Sequence, residues 1–345
     1  MKKLVLHLGL QKTGSTSLQE TFLYNPQPLS DAGYGYANVA WPDDKRNSNH
    51  SFPLIVAFSD GWQTSPEIVR RGWNADGLKR HFTSAIRQAL TTDQNLIMSG
   101  EDITDVPEAG LRAFSALVAE MGFDLQPVMF VRSPLEFVTS MTQTRVRHGL
   151  GYHVFKAGKS KKVEMCQTIW PGLRAIAFQD AIRHPEGPLG ALTEACGLPS
   201  ARNFKLIRQN ESMSEYATRI IGHVNTVIPL IQQDKVNPLR TYLDTELLAG
   251  ITGPKFQLTR SEFTAIRSFI QGENAAFDTL LGPSFCDPSF GFQDTPHTWT
   301  AEALAELSVA MRTLSDPLQA SIRDYFTSTP DVSAAERALA FRILA

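Results

Sequence analysis

The chain has 345 residues, 42% of them hydrophobic and 20% charged, with a formal net charge of −2. That length suits one large core with additions, or two domains, and the composition is that of a globular protein rather than a disordered or fibrous one. The small net charge excludes a global basic field for nucleic acid, so any anion site has to be built locally.

The N-terminal stretch MKKLVLHLGL has the look of a signal-peptide front, but its apolar run is short and holds His7. It leads into QKTGSTS with no small-residue cleavage site. It reads as a first strand over 3–9, buried on both faces. A helix is expected from Ser15 to Tyr24, and 25–47, rich in Gly, Pro, Asn and Asp, is expected to be mostly loop. HSFPLIVAFSD and 66–90 read as helical, NLIMSGE (95–101) as a second strand, and VPEAGLRAFSALVAEMG as a helix with Pro107 near its start and Gly122 as its stop.

A third strand, QPVMFV (126–131), runs into a helix for which Ser133, Pro134 and Glu136 supply a capping box with proline at its first position. RAIAFQDAI (174–182) reads as a fourth strand, followed by the helix PLGALTEACG. Alternating strands and helices predict a three-layer α/β sandwich with a central parallel sheet. Beyond about 210 the chain reads as helical, with a loop-rich break at 284–299. The expected division is 1–235 as the sheet-bearing α/β domain and 236–345 as a mostly helical region packed on it. Cys166, Cys196 and Cys286 are an odd number without metal-ligand spacing and read as free thiols in a reducing compartment. No apolar run reaches the ~18 residues of a membrane span, and a cytoplasmic protein is expected.

Two segments carry the chemistry. In GLQKTGSTS (9–17) the glycines allow a tight turn whose N–H groups converge on an anion at a helix N-terminus. Lys12 adds a charge, and Thr13, Ser15, Thr16 and Ser17 add hydroxyls around Gly14. A kinase loop would place its lysine directly after the glycine, where this chain has Ser15. In VRSPLEFVTSM, Arg132 ends a strand at the edge where open α/β sheets bind ligands, and Ser140 follows two helical turns later.

Together the two segments resemble the sulfotransferases that use 3'-phosphoadenylyl sulfate (PAPS), in their bacterial and carbohydrate-type version. HLGLQKTGSTSLQ is similar to that family's 5'-phosphosulfate loop and VRSPLEFVTSM to its 3'-phosphate site; IRSFIQGENAAFDTLLG is similar to a closing helix of bacterial members. The resemblance implies the P-loop-like sulfotransferase fold with a helical C-terminal extension, PAPS as donor, 3',5'-ADP as product and no metal. It implies Lys12 on the bridging oxygen of the leaving group, Thr16, Ser17 and the N–H groups of 13–16 on the phosphate, and Arg132 and Ser140 on the 3'-phosphate. The acceptor would be a hydroxyl of a sugar, a glycolipid or a small metabolite, with no nucleic-acid partner and no membrane span. Oligomeric state is open.

A base must take the acceptor's proton. Glu101, after a strand ending in Ser-x-Glu, is the first candidate, and His50 in NSNHSFPL the second. Three weaker features remain: Asn210 and Ser212, which resemble polar positions before a helix in bacterial members; the basic stretches RVRHG (145–149) and KSKK (159–162), which could attract an acidic acceptor or cover the donor; and Asp180, which matches the family's acidic position after a strand and reads as structural. The alternatives are an ATP-dependent small-molecule kinase and a nucleotide-binding protein on the same fold that has lost its chemistry.

Overall fold

The computed structural model describes all residues except 44–46, 65–67, 69, 70, 72, 76, 208–211, 233, 234, 287–290 and 345. The chain divides into two compact units, each built from three segments. The first takes Met1–Ser133, Gly158–Asn210 and Glu273–Asp287; the second takes Pro134–Ala157, Glu211–Gly272 and Pro288–Ala345. The division expected at 235 is a single cut of the chain, whereas these units are interleaved along it.

In chain order the elements of the first part are β1 (Lys2–Gly9), α1 (Ser15–Tyr24), α2 (Pro26–Asp31), β2 (Tyr34–Tyr36), α3 (Ser51–Phe58), α4 (Leu78–Ala89), β3 (Asn95–Gly100), α5 (Glu108–Glu120) and β4 (Phe123–Val131). Then come α6 (Pro134–Arg147), α7 (Ser160–Ile169), β5 (Arg174–Ala177), α8 (Phe178–Arg183) and α9 (Gly187–Cys196). The remaining long helices are α10 (Glu215–Val227), α11 (Tyr242–Ala249), α12 (Arg260–Leu281), α13 (Ala301–Met311), α14 (Asp316–Ser328) and α15 (Ala334–Ile343).

The first unit is a three-layer α/β sandwich. Its five strands run in the order β2-β3-β1-β4-β5 and every pairing is parallel. Alternate residues of β1 feed two different cores, as the two-residue period of a strand requires. Leu4, Leu6 and Leu8 join Leu54, Phe82, Phe114 and Val163 from α3, α4, α5 and α7. Val5 joins Leu18 and Phe22 of α1 and Leu189 and Leu192 of α9 on the other face, with Ile97 and Phe130 from the neighbouring strands. A parallel sheet covered on both faces explains why these strands read as continuous apolar runs.

The strand order also sets where loops part. From β1 the chain goes to the β2–β3 side, and from β4 it goes to β5, so the loops after adjacent strands β1 and β4 diverge. That divergence is the topological switch point of an open α/β sheet, the usual place for a ligand.

Four local expectations change. Tyr34–Tyr36, read as loop, is an edge strand in register with Asn95–Ile97. The fourth strand stops at Ala177, and Phe178–Arg183 is a short helix, so Asp180 lies within a helix rather than after a strand. Ser133 does not cap α6: its buried hydroxyl has no hydrogen-bond partner among the described residues. The helical region also contains a small antiparallel pairing of Ile231–Gln232 with Lys235–Val236.

The second unit is mainly helical. Its larger core collects Tyr216, Ile220 and Val224 of α10 with Leu304, Leu307, Ile322 and Phe326 of α13 and α14. A smaller one gathers Val138, Phe256, Leu258, Ile266 and Ile270. By residue number α12 is shared, with Glu273 onward counted in the first unit.

Candidate functional site at the sheet edge of the first unit

The loop between β1 and α1 is shaped by its own backbone. Gly14 is the N-cap of α1 at φ 72° and supplies no side-chain cap, so the first-turn N–H groups of α1 are presented at the loop rather than closed off by a hydroxyl. Lys12 is also left-handed, at φ 68°, a conformation that costs a residue with a Cβ roughly 1–2 kcal/mol. Gly9 is required by space: a Cβ there would lie 2.2 Å from Ser15 Oγ and 3.3 Å from Glu101 Cα. The end of β1, the start of α1 and the end of β3 therefore approach more closely than any other residue at position 9 would allow.

The hydroxyls divide into two roles. Thr13 and Ser15 are fully buried; Thr13 Oγ1 donates to Leu10 O at 2.5 Å, and Ser15 Oγ lies 3.3 Å from it. These two staple the loop internally, and their contribution to an anion would come from their N–H groups. Thr16 is half-buried and donates to Glu101 Oε1 at 3.3 Å. Ser17 lies in the same first turn of α1.

Glu101 follows β3 directly and is half-buried. Burial pushes its carboxyl up from the usual range, and the neighbouring Asp102 charge adds to that; the Lys12 ammonium and the Thr16 hydroxyl act the other way without cancelling it. A carboxylate raised toward neutrality, within the field of a lysine, suits a group that takes up a proton.

Arg132, at the end of β4, donates from Nη1 to the carbonyl of Lys12 at 2.7 Å, and its guanidinium carbon lies 5.2 Å from the centroid of the Phe178 ring. The same ring comes within 3.9 Å of the space above Gly14. Arginine, loop and the first residue of α8 thus form one assembly.

His50 is placed differently. It is 1% exposed, and both ring nitrogens meet backbone: Nε2 lies 2.8 Å from Ala37 O, and Nδ1 3.0 Å from Ser99 N. A carbonyl only accepts, so Nε2 carries a proton toward Ala37 O, while Nδ1 lies 3.0 Å from both the N and the O of Ser99. Burial lowers its pKa despite these bonds. The ring ties β3 to the segment before α3.

The structure therefore brings together Lys12, Thr13, Gly14, Ser15, Thr16, Glu101 and Arg132, and turns the His50 ring into a backbone strut. Ser140, on α6, is half-buried and belongs to the second unit, as does Ser212. Asn210 lies outside the described residues.

Several participants carry no recognisable signal in the sequence. His7 pairs across β1 and β3 with Ser99, Nδ1 to Oγ at 2.7 Å, and burial lowers its pKa to about 4, so it is neutral. Gln11 donates to Asp102 Oδ1 at 2.7 Å, and Lys159 Nζ donates to Gln11 Oε1 at 3.2 Å. Lys162 pairs with Asp105. The stretch KSKK is thus folded into the first unit by these interactions.

Among the described residues no helix is long and apolar enough to cross a membrane. No protein-family model matches the chain, and no curated protein matches it. Among solved structures, one from a study of the PezAT chromosomal toxin-antitoxin system of Streptococcus pneumoniae aligns over 81% of this chain and 87% of its own, at 12% identity and a TM-score of 0.25. A superposition that loose carries no functional argument.

Proposed function

We propose that the chain is a PAPS-dependent sulfotransferase that moves a sulfuryl group in line onto an acceptor hydroxyl. The observation that carries the reading is the bond from Arg132 Nη1 to the Lys12 carbonyl, which joins the two sequence segments at one sheet edge beside Glu101. A resemblance assembled from scattered residues would have no reason to converge on one loop.

In this reading the N–H groups of the first turn of α1 hold the 5'-phosphate at the positive end of the helix. Lys12 meets the charge that grows on the leaving oxygen, which favours the transition state over the bound donor. Glu101 accepts the proton of the acceptor hydroxyl, and Thr16 orients it. Arg132 has five N–H donors in a planar fork; one braces the loop, and the reading assigns the guanidinium to the 3'-phosphate. His50 leaves the list of bases, because both its nitrogens are committed.

The test is calorimetric binding of 3',5'-ADP against ADP, followed by incubation with labelled PAPS and a panel of glycans, lipids and small alcohols. The reading expects tighter binding of 3',5'-ADP and label transfer to at least one hydroxyl. Equal affinity for the two nucleotides would sink it. Magnesium-dependent ATP turnover lost on Lys12→Ala would turn it into a kinase.

A further inference from the structure

Gln11 precedes Lys12 and makes two hydrogen bonds of opposite polarity. Its Nε2 donates to Asp102 Oδ1 at 2.7 Å, and its Oε1 accepts from Lys159 Nζ at 3.2 Å. A side-chain amide suits this position because it can serve a carboxylate and an ammonium at once. A carboxylate there would face Asp102, and an ammonium would face Lys159.

Both ends of the bridge are themselves fixed. The Asp102 N–H donates to Ser51 Oγ at 2.8 Å, which holds the turn after β3 against the start of α3. Lys159 is set by Glu273, whose carboxylate accepts from Lys159 N at 2.7 Å, Ser160 N at 3.1 Å and Ser160 Oγ at 2.7 Å. That carboxylate sits on the positive end of α7, where an anion is stabilising.

The loop needs such an external hold. Lys12 stands in a left-handed conformation that its own side chain disfavours, and strained residues persist only where their surroundings over-determine them. Thr13 secures the loop from within, by its bond to Leu10 O. Gln11 secures it from without, against the ends of two other elements.

We propose that Gln11 is a positioning residue whose amide, held between Lys159 and Asp102, locks the loop carrying Lys12 against the strand end carrying Glu101. This rests on the sulfotransferase reading for its kinetic consequence, though not for its structural one. Asp102 and Glu101 are consecutive, so a slackened Asp102 also slackens the base and its distance from the lysine. The strand end splits the pair: Thr16 takes Glu101, and Gln11 takes Asp102.

The experiment uses the full chain and three variants: Gln11→Leu, Gln11→Glu, and Gln11→Glu combined with Asp102→Asn. Amide hydrogen exchange over 10–16 is the readout that needs no activity. Gln11→Leu and Gln11→Glu should each accelerate exchange there by about tenfold, the worth of one hydrogen bond of about 1.4 kcal/mol. The double variant reverses the polarity of the bridge, since an asparagine amide can donate to the new carboxylate while that carboxylate still accepts from Lys159. Exchange should return toward the wild-type rate.

For PAPS transfer to the best acceptor of the panel, Gln11→Leu should lower kcat by roughly 10–100-fold, the scale of a small misplacement of reacting groups. Affinity for 3',5'-ADP should change far less, and the double variant should recover most of the loss. Wild-type exchange rates in Gln11→Leu, or a double variant no better than Gln11→Glu alone, would overturn the proposal. Should the unaltered protein fail to prefer 3',5'-ADP, the sulfotransferase reading falls, and the exchange measurements still decide the role of Gln11.

Discussion

Glu101 of the first unit and Glu262 of the second are both partly buried acids, yet their surroundings push them in opposite directions. For Glu262, burial alone would raise the pKa, but the Arg219 charge and hydrogen bonds from Arg219, Thr259 N–H and Tyr152 overcome it and hold the carboxylate below the usual range. Arg219 also reaches fully buried Glu215 at 2.7 Å, and Glu215 accepts from Gln293 and His297 besides. Glu101 has one long bond from Thr16, a like charge next to it and a lysine whose field does not compensate. A satisfied carboxylate is architecture; an under-satisfied one at a sheet edge is available for chemistry.

The strongest way to break this contrast is Arg219→Leu, which removes the guanidinium shared by buried Glu215 and half-buried Glu262. We expect about 3–5 kcal/mol of lost stability in the second unit, read by urea denaturation with exchange monitored over 211–272. A loss below about 1 kcal/mol would show that the cluster does not hold the unit. Acid works in the same direction. A carboxylate with a lowered folded pKa stabilises above its unfolded value and loses that contribution as pH falls through the folded value, so the Glu262 share disappears on acidification below the ordinary carboxylate range.

Next in size is Lys12→Ala, which should raise the barrier by about 3–4 kcal/mol, a kcat loss on the order of 10²–10³, with little change in the urea midpoint. Near-normal turnover would remove Lys12 from the leaving group.

Glu101→Gln sharpens the comparison from the other side, because its expected signs for activity and stability differ. Activity should collapse, while the variant should be somewhat more stable than the parent at neutral pH. A carboxyl raised in the fold disfavours folding once it is ionised, so the advantage of the glutamine should vanish in acid, where Glu101 is protonated. Loss of stability at pH 7 would mean that Glu101 is structural. The smallest expected effect is that of Thr16→Val, about 1 kcal/mol at most, which should move the acid limb of the rate profile to higher pH by removing a bond that favours the charged base.

The sequence is most legible where one local rule governs. The strand over 3–9, the glycine-rich turn and the helix from Ser15 are each set by near neighbours, and all three stand as expected. Arg132 and Glu101 can be placed at one edge because strands of a parallel sheet end together. The Tyr34–Tyr36 strand is hidden because three residues among turn-formers show no period, and only β3 makes them a strand. His50 looks like a base because an imidazole at a helix start is ambiguous in sequence; its two backbone partners come from distant segments. Gln11 lies inside the glycine-rich motif, but its meaning depends on Lys159, 148 positions away. The interleaving of the units is equally hidden, since nothing in RSPLEFVTSM announces that the chain is joining another core.

That interleaving bears on how the molecule comes into being. Phe277 is packed in the core of the sheet-bearing unit, and Glu273 holds the N-terminus of α7, yet both are made late. During vectorial synthesis a ribosome has to release most of the polypeptide before the nascent sheet-bearing unit can seal its apolar interior, leaving an early sheet that chaperones would have to shield. A gene fragment ending at codon 235 should yield an insoluble or loosely folded product, whereas residues 1–287 supply every strand and helix which that unit requires.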